Sequence, residues 1–163
     1  MTKLSVNINK IATLRNARGG NVPNVVQFAK DCERFGADGI TVHPRPDERH
    51  ITLKDVYDLA PVVKTEFNIE GYPDARFMEI IRSVKPAQAT LVPDPPHVIT
   101  SNTGWDVTKN KQLLIDIVQE IQSYGVRVSL FLNPEIHQVH EAKLTGTNRI
   151  EFYTGPFAEH YAE

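Results

Sequence analysis

The strongest constraint on this chain is a beat that repeats along its whole length. Short apolar runs rich in β-branched residues alternate with stretches of helical period. The runs cover residues 4–8, 39–43, 66–70, 89–92, 126–132 and 150–153, and each reads as a strand apolar on both faces. Between them, helices are expected over 25–35, 56–65, 74–84, 109–124 and 134–145. Three of the strands rise from a glycine turn that ends the preceding helix, at Gly36-Ala37-Asp38-Gly39, Tyr124-Gly125-Val126 and Thr145-Gly146-Thr147. Strands that alternate with helices predict a parallel α/β fold.

Two parallel architectures fit that beat. An open doubly wound sheet carries five or six strands and gathers its site at one switch point. A (β/α)8 barrel collects polar residues from the C-terminal end of every strand but takes ~250 residues. The 163 residues favour the sheet. The polar residues favour the barrel, because Asn7, Asn9, His43, Arg45, Glu70, Asp94, Asn133, Glu151 and Thr154 stand at or just past strand ends throughout the chain. Gly19-Gly20 lacks the spacing of a dinucleotide-binding loop.

Composition excludes several classes. Apolar residues make up 40% and charged residues 23%, enough for a packed core and too apolar for disorder. No apolar run approaches a membrane span, and the N-terminus has no signal-peptide core. Cys32 is the single cysteine, so no intramolecular disulfide or multi-cysteine zinc site is available, and a reducing cytoplasm is the expected setting. The net charge of −2 points to no nucleic acid partner. Charge is nonetheless uneven, with nine Lys and Arg against five acids in residues 1–54. Such a basic segment suits an anion site or a mixed solvated surface.

Three stretches carry residues suited to chemistry. The first is Asn7-Ile8-Asn9-Lys10 and the segment that follows, read as a basic loop in which Lys10, Arg15 and Arg18 can grip a phosphate. In the second, His43 ends a strand and Arg45 and His50 follow in a proline-stiffened loop. Histidine suits acid–base work near neutrality, although a strand-end histidine is more often structural. In the third, Glu70 closes an apolar strand, where desolvation would make it a proton carrier, unless it pairs with a cation. A metal set of His43, His50 and Glu70 is an alternative that matches no ligand spacing. Glu151 alternates with Ile150 and Phe152 and so faces away from them, whereas Thr100 reads as a turn residue. His137, His140 and His160 read as surface residues and Trp105 as packing.

These stretches resemble the pyridoxine 5'-phosphate synthase family. The resemblance rests on Asn7-Ile8-Asn9-Lys10-Ile11-Ala12-Thr13-Leu14-Arg15-Asn16-Ala17-Arg18, on Gly36-Ala37-Asp38-Gly39-Ile40-Thr41-Val42-His43-Pro44-Arg45 with Arg49-His50-Ile51, and on Asn68-Ile69-Glu70. Leu91-Val92-Pro93, Val128-Ser129-Leu130-Phe131 and Ile150-Glu151-Phe152-Tyr153-Thr154-Gly155 extend it through the chain. It implies a (β/α)8 TIM barrel and a cofactor-free condensation of two phosphorylated small molecules. These are 3-amino-2-oxopropyl phosphate and 1-deoxy-D-xylulose 5-phosphate, which give pyridoxine 5'-phosphate, phosphate and water. By position, His43 and Glu70 match the family's proton acceptors, and Glu151 a residue that assists the transition state. Asn7 and Arg18 match contacts to the aminoketone phosphate. Asn9, Lys10, Arg45, His50 and Thr100 match contacts to the deoxyxylulose phosphate. The family also implies a homo-octamer.

The chain departs from the family in two ways. Asn9-Lys10 stands where the common pattern is Asp-His. Nothing matches the family's seventh strand, with its catalytic His-Gly turn, or its eighth, with a Gly-His phosphate turn. Residues 1–163 therefore read as one barrel domain carrying six of eight strands, incomplete at the C-terminus, with no helix after the sixth strand. An open barrel of that kind is expected to expose two edge strands and an apolar interior. Two other functions stay open: another phosphate-handling barrel isomerase or aldolase, and a sugar-phosphate-binding fragment without turnover. The absence of a lysine at the ends of strands two to six counts against a Schiff-base aldolase.

Overall fold

The computed structural model describes residues 1–93 and 103–161. Among these residues six strands form one sheet in the order β1-β2-β3-β4-β5-β6, every neighbouring pair parallel. They are β1 Ser5–Asn7, β2 Gly39–Val42, β3 Glu66–Gly71, β4 Gln88–Leu91, β5 Arg127–Leu132 and β6 Arg149–Phe152. The helices are α1 Asn9–Arg18, α2 Val25–Arg34, α3 Leu53–Leu59, α4 Ala75–Val84, α5 Val107–Ser123, α6 Ile136–Leu144 and α7 Gly155–Glu159. A doubly wound sheet would reverse its strand order, and this one never does. The sheet also curls, because one cleft is lined by Ser5 and Asn7 of β1 together with Arg149 and Glu151 of β6. The fold is α/β, with six consecutive strands of a TIM-barrel arrangement.

Period-two alternation sorts the side chains into two layers. Val6, Ile40, Val42, Phe67, Ile69, Ala89, Leu91, Val128, Leu130 and Leu132 point outward into the helices, where they pack against Ala29, Val56, Ile81, Leu114 and Val118. The opposite parity is polar: Ser5, Asn7, Thr41, Glu66, Asn68, Glu70, Gln88, Ser129, Arg149 and Glu151 line the cleft. This corrects two expectations, strands apolar on both faces and an apolar interior. The apolar core lies between sheet and helices, and the barrel interior is hydrogen-bonded instead. Thr90 donates to Asn68 Oδ1 at 3.0 Å, Asn68 Nδ2 donates to Thr41 at 3.3 Å, and Thr41 meets Ser5 Oγ at 2.9 Å. Below them Glu66 accepts from Arg149 at 2.9 Å and also pairs with Arg127, tying β3 to β5 and β6.

The helix ends follow local chemistry. Asn24, Asp74 and Asp106 each accept a backbone N–H from the first turn of α2, α4 and α5. Thr52 and Asp55 form a capping box that starts α3 at Leu53, so the expected helix over 56–65 begins earlier and ends before Pro61. Gly125 and Gly146 hold φ of 82° and 80° where α5 and α6 turn into strands, a conformation that favours glycine. Two segments differ from the expectation. Residues 9–18 form α1 rather than a loop: only Ala12 and Arg15 of it are buried, so no apolar stripe announces the helix. The short α7 follows β6, where no helix was expected. Trp105 is buried, stacks on Tyr72 at 6.0 Å and donates its Nε1 hydrogen to Leu91 O at 2.9 Å, the packing role read from sequence. Among the described residues no helix is long and apolar enough to cross a membrane.

Candidate active site

The C-terminal ends of the strands form a polar mouth above a cleft of about 400 Å³. His43 follows β2 and is 9% exposed. Its Nδ1 lies 3.9 Å from Glu70 Oε2 on the neighbouring strand, both side chains nearly buried. The parallel register sets this meeting: Val42 pairs with Ile69, so the next residues along both strands, His43 and Glu70, emerge side by side.

Burial pushes the Glu70 carboxyl up to about 8, and the nearby Glu151 carboxylate adds to the rise against the pull of Arg45. Burial also pushes Glu151 upward. The His43 imidazole is driven down to about 3, first by desolvation and then by the positive charges of Arg45, His50 and Arg49, against Asp47. His50 falls to about 4, through burial and then Arg45 and Arg49, with Lys10 also lowering it. At pH 7 the pair is therefore uncharged, with a protonated carboxyl facing a neutral imidazole. Such a site holds a proton donor and a proton acceptor in van der Waals reach.

The β2–α3 loop supplies the cations. Arg45 is buried, and the His50 ring centre lies 6.1 Å from that of His43. His50 Nδ1 accepts the Ile51 backbone N–H at 2.9 Å, so the neutral ring carries its hydrogen on Nε2. Asn9 opens α1, and its Oδ1 accepts the His43 backbone N–H at 2.8 Å, stitching the start of α1 to the end of β2. An aspartate would accept the same bond, so the amide at this position keeps that acceptor. Asn7 Oδ1 accepts the Asn9 N–H at 3.0 Å, and the Asn7 side chain lines the cleft.

Not every expected residue joins this cluster. Arg15 is no phosphate grip: it is buried and forks onto Asp55, Nη1 to Oδ1 at 2.5 Å and Nη2 to Oδ2 at 2.8 Å. Burial pushes the Asp55 carboxyl up, but Arg15 and the Thr52 donors together hold it below its usual range. Arg18 ends α1 exposed, nine helical rises or about 13 Å beyond Asn9, and makes no ion pair among the described residues. Lys10 is exposed on the first turn of α1. Thr100 and Asp94 lie outside the described residues. Asn133 holds the returning chain by accepting the Gly104 N–H at 2.8 Å. Among the described residues no three His, Cys, Asp or Glu side chains converge as a metal site, His43, His50 and Glu70 included. Asn16, Asp55 and Arg76, which hold the cationic loop, are not among the residues that the sequence singles out. The Thr-x-x-Asp capping box was the one available signal, and it pointed only to Asp55.

Together, fold and mouth define a class: a parallel βα-barrel protein with a buried carboxyl–imidazole pair beside a cationic loop at the C-terminal ends of its strands. Residues 4–163 match the family described as pyridoxal phosphate biosynthesis protein PdxJ, and the chain belongs to that family. Its relatives include the pyridoxine 5'-phosphate synthase of Bacteroides fragilis (strain YCH46), 60% identical over 161 residues, covering 99% of this chain and 68% of the relative. The pyridoxine 5'-phosphate synthase of Porphyromonas gingivalis (strain ATCC 33277) is 58% identical over the same shares. A mandelate oxidase structure with 3,3-difluoro-2-hydroxy-3-phenylpropionic acid superposes with a TM-score of 0.58 at 10% identity, over 90% of this chain and 54% of the oxidase. A D-psicose 3-epimerase gives 0.57 at 11%, over 93% and 62%. At such identity these two likenesses concern the fold alone.

Proposed function

We propose that this chain works as a pyridoxine 5'-phosphate synthase of vitamin B6 biosynthesis, condensing 3-amino-2-oxopropyl phosphate with 1-deoxy-D-xylulose 5-phosphate to pyridoxine 5'-phosphate, phosphate and water. One observation carries the reading: an uncharged Glu70–His43 pair at 3.9 Å beside a loop bearing Arg45, Arg49 and His50. Joining an amine to a ketone, then losing water and phosphate, moves protons on and off carbon, nitrogen and oxygen many times. A buried acid beside a buried base meets that demand.

The site's electrostatics respond to the ligands. A phosphate dianion beside Arg45 and His50 offsets the charges that depress His43, making the imidazole a better base. A cationic amine near Glu70 favours its carboxylate, so the proton leaves as the amine arrives. In this reading His43 and Glu70 exchange protons with the substrates, and Glu151 keeps Glu70 protonated until then. Asn7 meets the aminoketone phosphate from the cleft, and Arg18, exposed at the far end of α1, is placed with it by its match to the family alone. Asn9, Lys10, Arg45, His50 and Thr100 hold the deoxyxylulose phosphate. The same reading has residues 1–163 acting as one barrel domain in the cytoplasm, associating as a homo-octamer, which sedimentation velocity tests.

The deciding experiment supplies both substrates and follows the product by mass spectrometry. Pyridoxine 5'-phosphate appears with the wild-type protein and is lost in His43→Ala and Glu70→Gln. No product, or full activity in either variant, overturns the proposal.

A further inference from the structure

The loop that carries Arg45, Arg49 and His50 is held from two sides. On one side, Arg76 of α4 donates from Nη1 to Pro44 O at 2.8 Å and from Nη2 to Glu48 Oε1 at 3.4 Å. Glu48 sits at φ 51°, a left-handed conformation that a glutamate keeps only where its surroundings hold it, and its Oε1 also accepts the Leu53 N–H at 2.8 Å. On the other side stands Asn16 of α1. Its Nδ2 donates to three successive carbonyls, Glu48 O at 3.5 Å, Arg49 O at 3.2 Å and His50 O at 2.9 Å. Its Oδ1 accepts from Arg15 Nε at 3.1 Å and Nη2 at 2.9 Å, which decides which end of the amide faces the loop.

The bond to His50 O is felt at the nitrogen end of the same peptide. A peptide unit is planar, and its N–H points opposite to its C=O. Holding the His50 carbonyl toward Asn16 therefore aims the Ile51 N–H away from α1, and that N–H donates to His50 Nδ1 at 2.9 Å. The His50 carbonyl also accepts from Arg15 Nη2 at 3.3 Å, but Asn16 makes the shorter bond and itself accepts from that guanidinium. The imidazole is oriented by the peptide plane that Asn16 holds with Arg15 behind it, and its tautomer is set with it. Asn16 lies on the exposed side of α1, clear of the apolar core, so it can be replaced without opening a cavity.

We propose that Asn16 is a positioning residue for anion binding: through the His50–Ile51 peptide it orients the His50 imidazole and leaves Nε2–H as the donor presented to a phosphate. The inference rests on the proposed phosphate-binding role of this mouth. It adds a residue that touches no substrate and acts through one that does.

Two variants test it, Asn16→Ala and Asn16→Asp. The second keeps the size and the acceptor for Arg15 but sets a carboxylate against three carbonyls. Amide exchange of Ile51 is measured first, without ligand. It should speed up at least about tenfold in both variants, while Val42 in β2 keeps its rate. Binding of inorganic phosphate and of 1-deoxy-D-xylulose 5-phosphate should weaken by about tenfold. In a His50→Gln background the Asn16 substitutions should cost nothing further, since their effect passes through His50. Unchanged Ile51 exchange overturns the inference, as do losses that simply add in the double variant. A wild-type protein that binds neither ligand defeats the functional proposal instead, and the exchange measurement still decides the role of Asn16.

Discussion

Replacing Glu70 by glutamine should stabilise the protein while abolishing its chemistry, and the gain should depend on pH in a defined way. The native carboxyl titrates near 8, against an ordinary value of 4.5. Below pH 4.5 the native and unfolded states both hold the proton, and the substitution changes little. Above it the unfolded chain ionises while the native site keeps its proton. Stability then falls by about 1.4 kcal/mol per pH unit, reaching about 3 kcal/mol by pH 7, and levels off above pH 8. Glutamine has nearly the same shape and no charge to desolvate, so this loss disappears. Urea unfolding from pH 4 to 9 measures it. The variant and wild-type stabilities should coincide near pH 4, diverge through neutrality and run parallel above pH 8. Curves that stay parallel across the whole range would refute the idea that burial, with Glu151 adding to it, governs this carboxyl.

His43 makes the opposite limb. Its native value near 3 means the unfolded chain takes up a proton below pH 6.5 that the native site refuses, so stability falls as pH drops toward 3. His43→Asn should flatten that acid limb in the same titration. Asp55→Ala leaves the Arg15 guanidinium buried without its partner and should cost about 3–5 kcal/mol in chemical denaturation. The paired change Arg15→Met with Asp55→Leu should recover much of that stability. Gly71→Ala puts a Cβ 2.3 Å from the Phe77 ring, and should destabilise by about 1–3 kcal/mol and lower the thermal midpoint seen by calorimetry.

Much of the architecture was legible because it is written in local periods. The strand beat and the glycines at the ends of α5 and α6 follow from neighbours in sequence, and they place β2 and β3 within a residue or two. The exceptions have physical reasons. α1 buries almost nothing apolar, so hydrophobic periodicity is silent there. The runs look continuous and so predict an apolar interior face, yet alternation puts every Ser, Thr, Asn and Gln of the strands on one side. Arg15 looked like a free cation because nothing near it in sequence is acidic, and its partner Asp55 lies 40 residues on.

The sequence by itself determined which residues stand at strand ends and that some of them could bind phosphate or move protons. Side-chain chemistry and the two-residue strand period are local properties, so no structure was needed for them. The tertiary structure decided what those residues are. Parallel register set His43 beside Glu70, and the curl of the sheet brought Glu151 close enough to raise Glu70's proton affinity. Burial then reversed the ordinary protonation order of imidazole and carboxyl. The α1 helix, invisible to periodicity, holds the loop that presents His50. Distance and desolvation arise only when remote segments pack together, and the chemistry of this mouth depends on both.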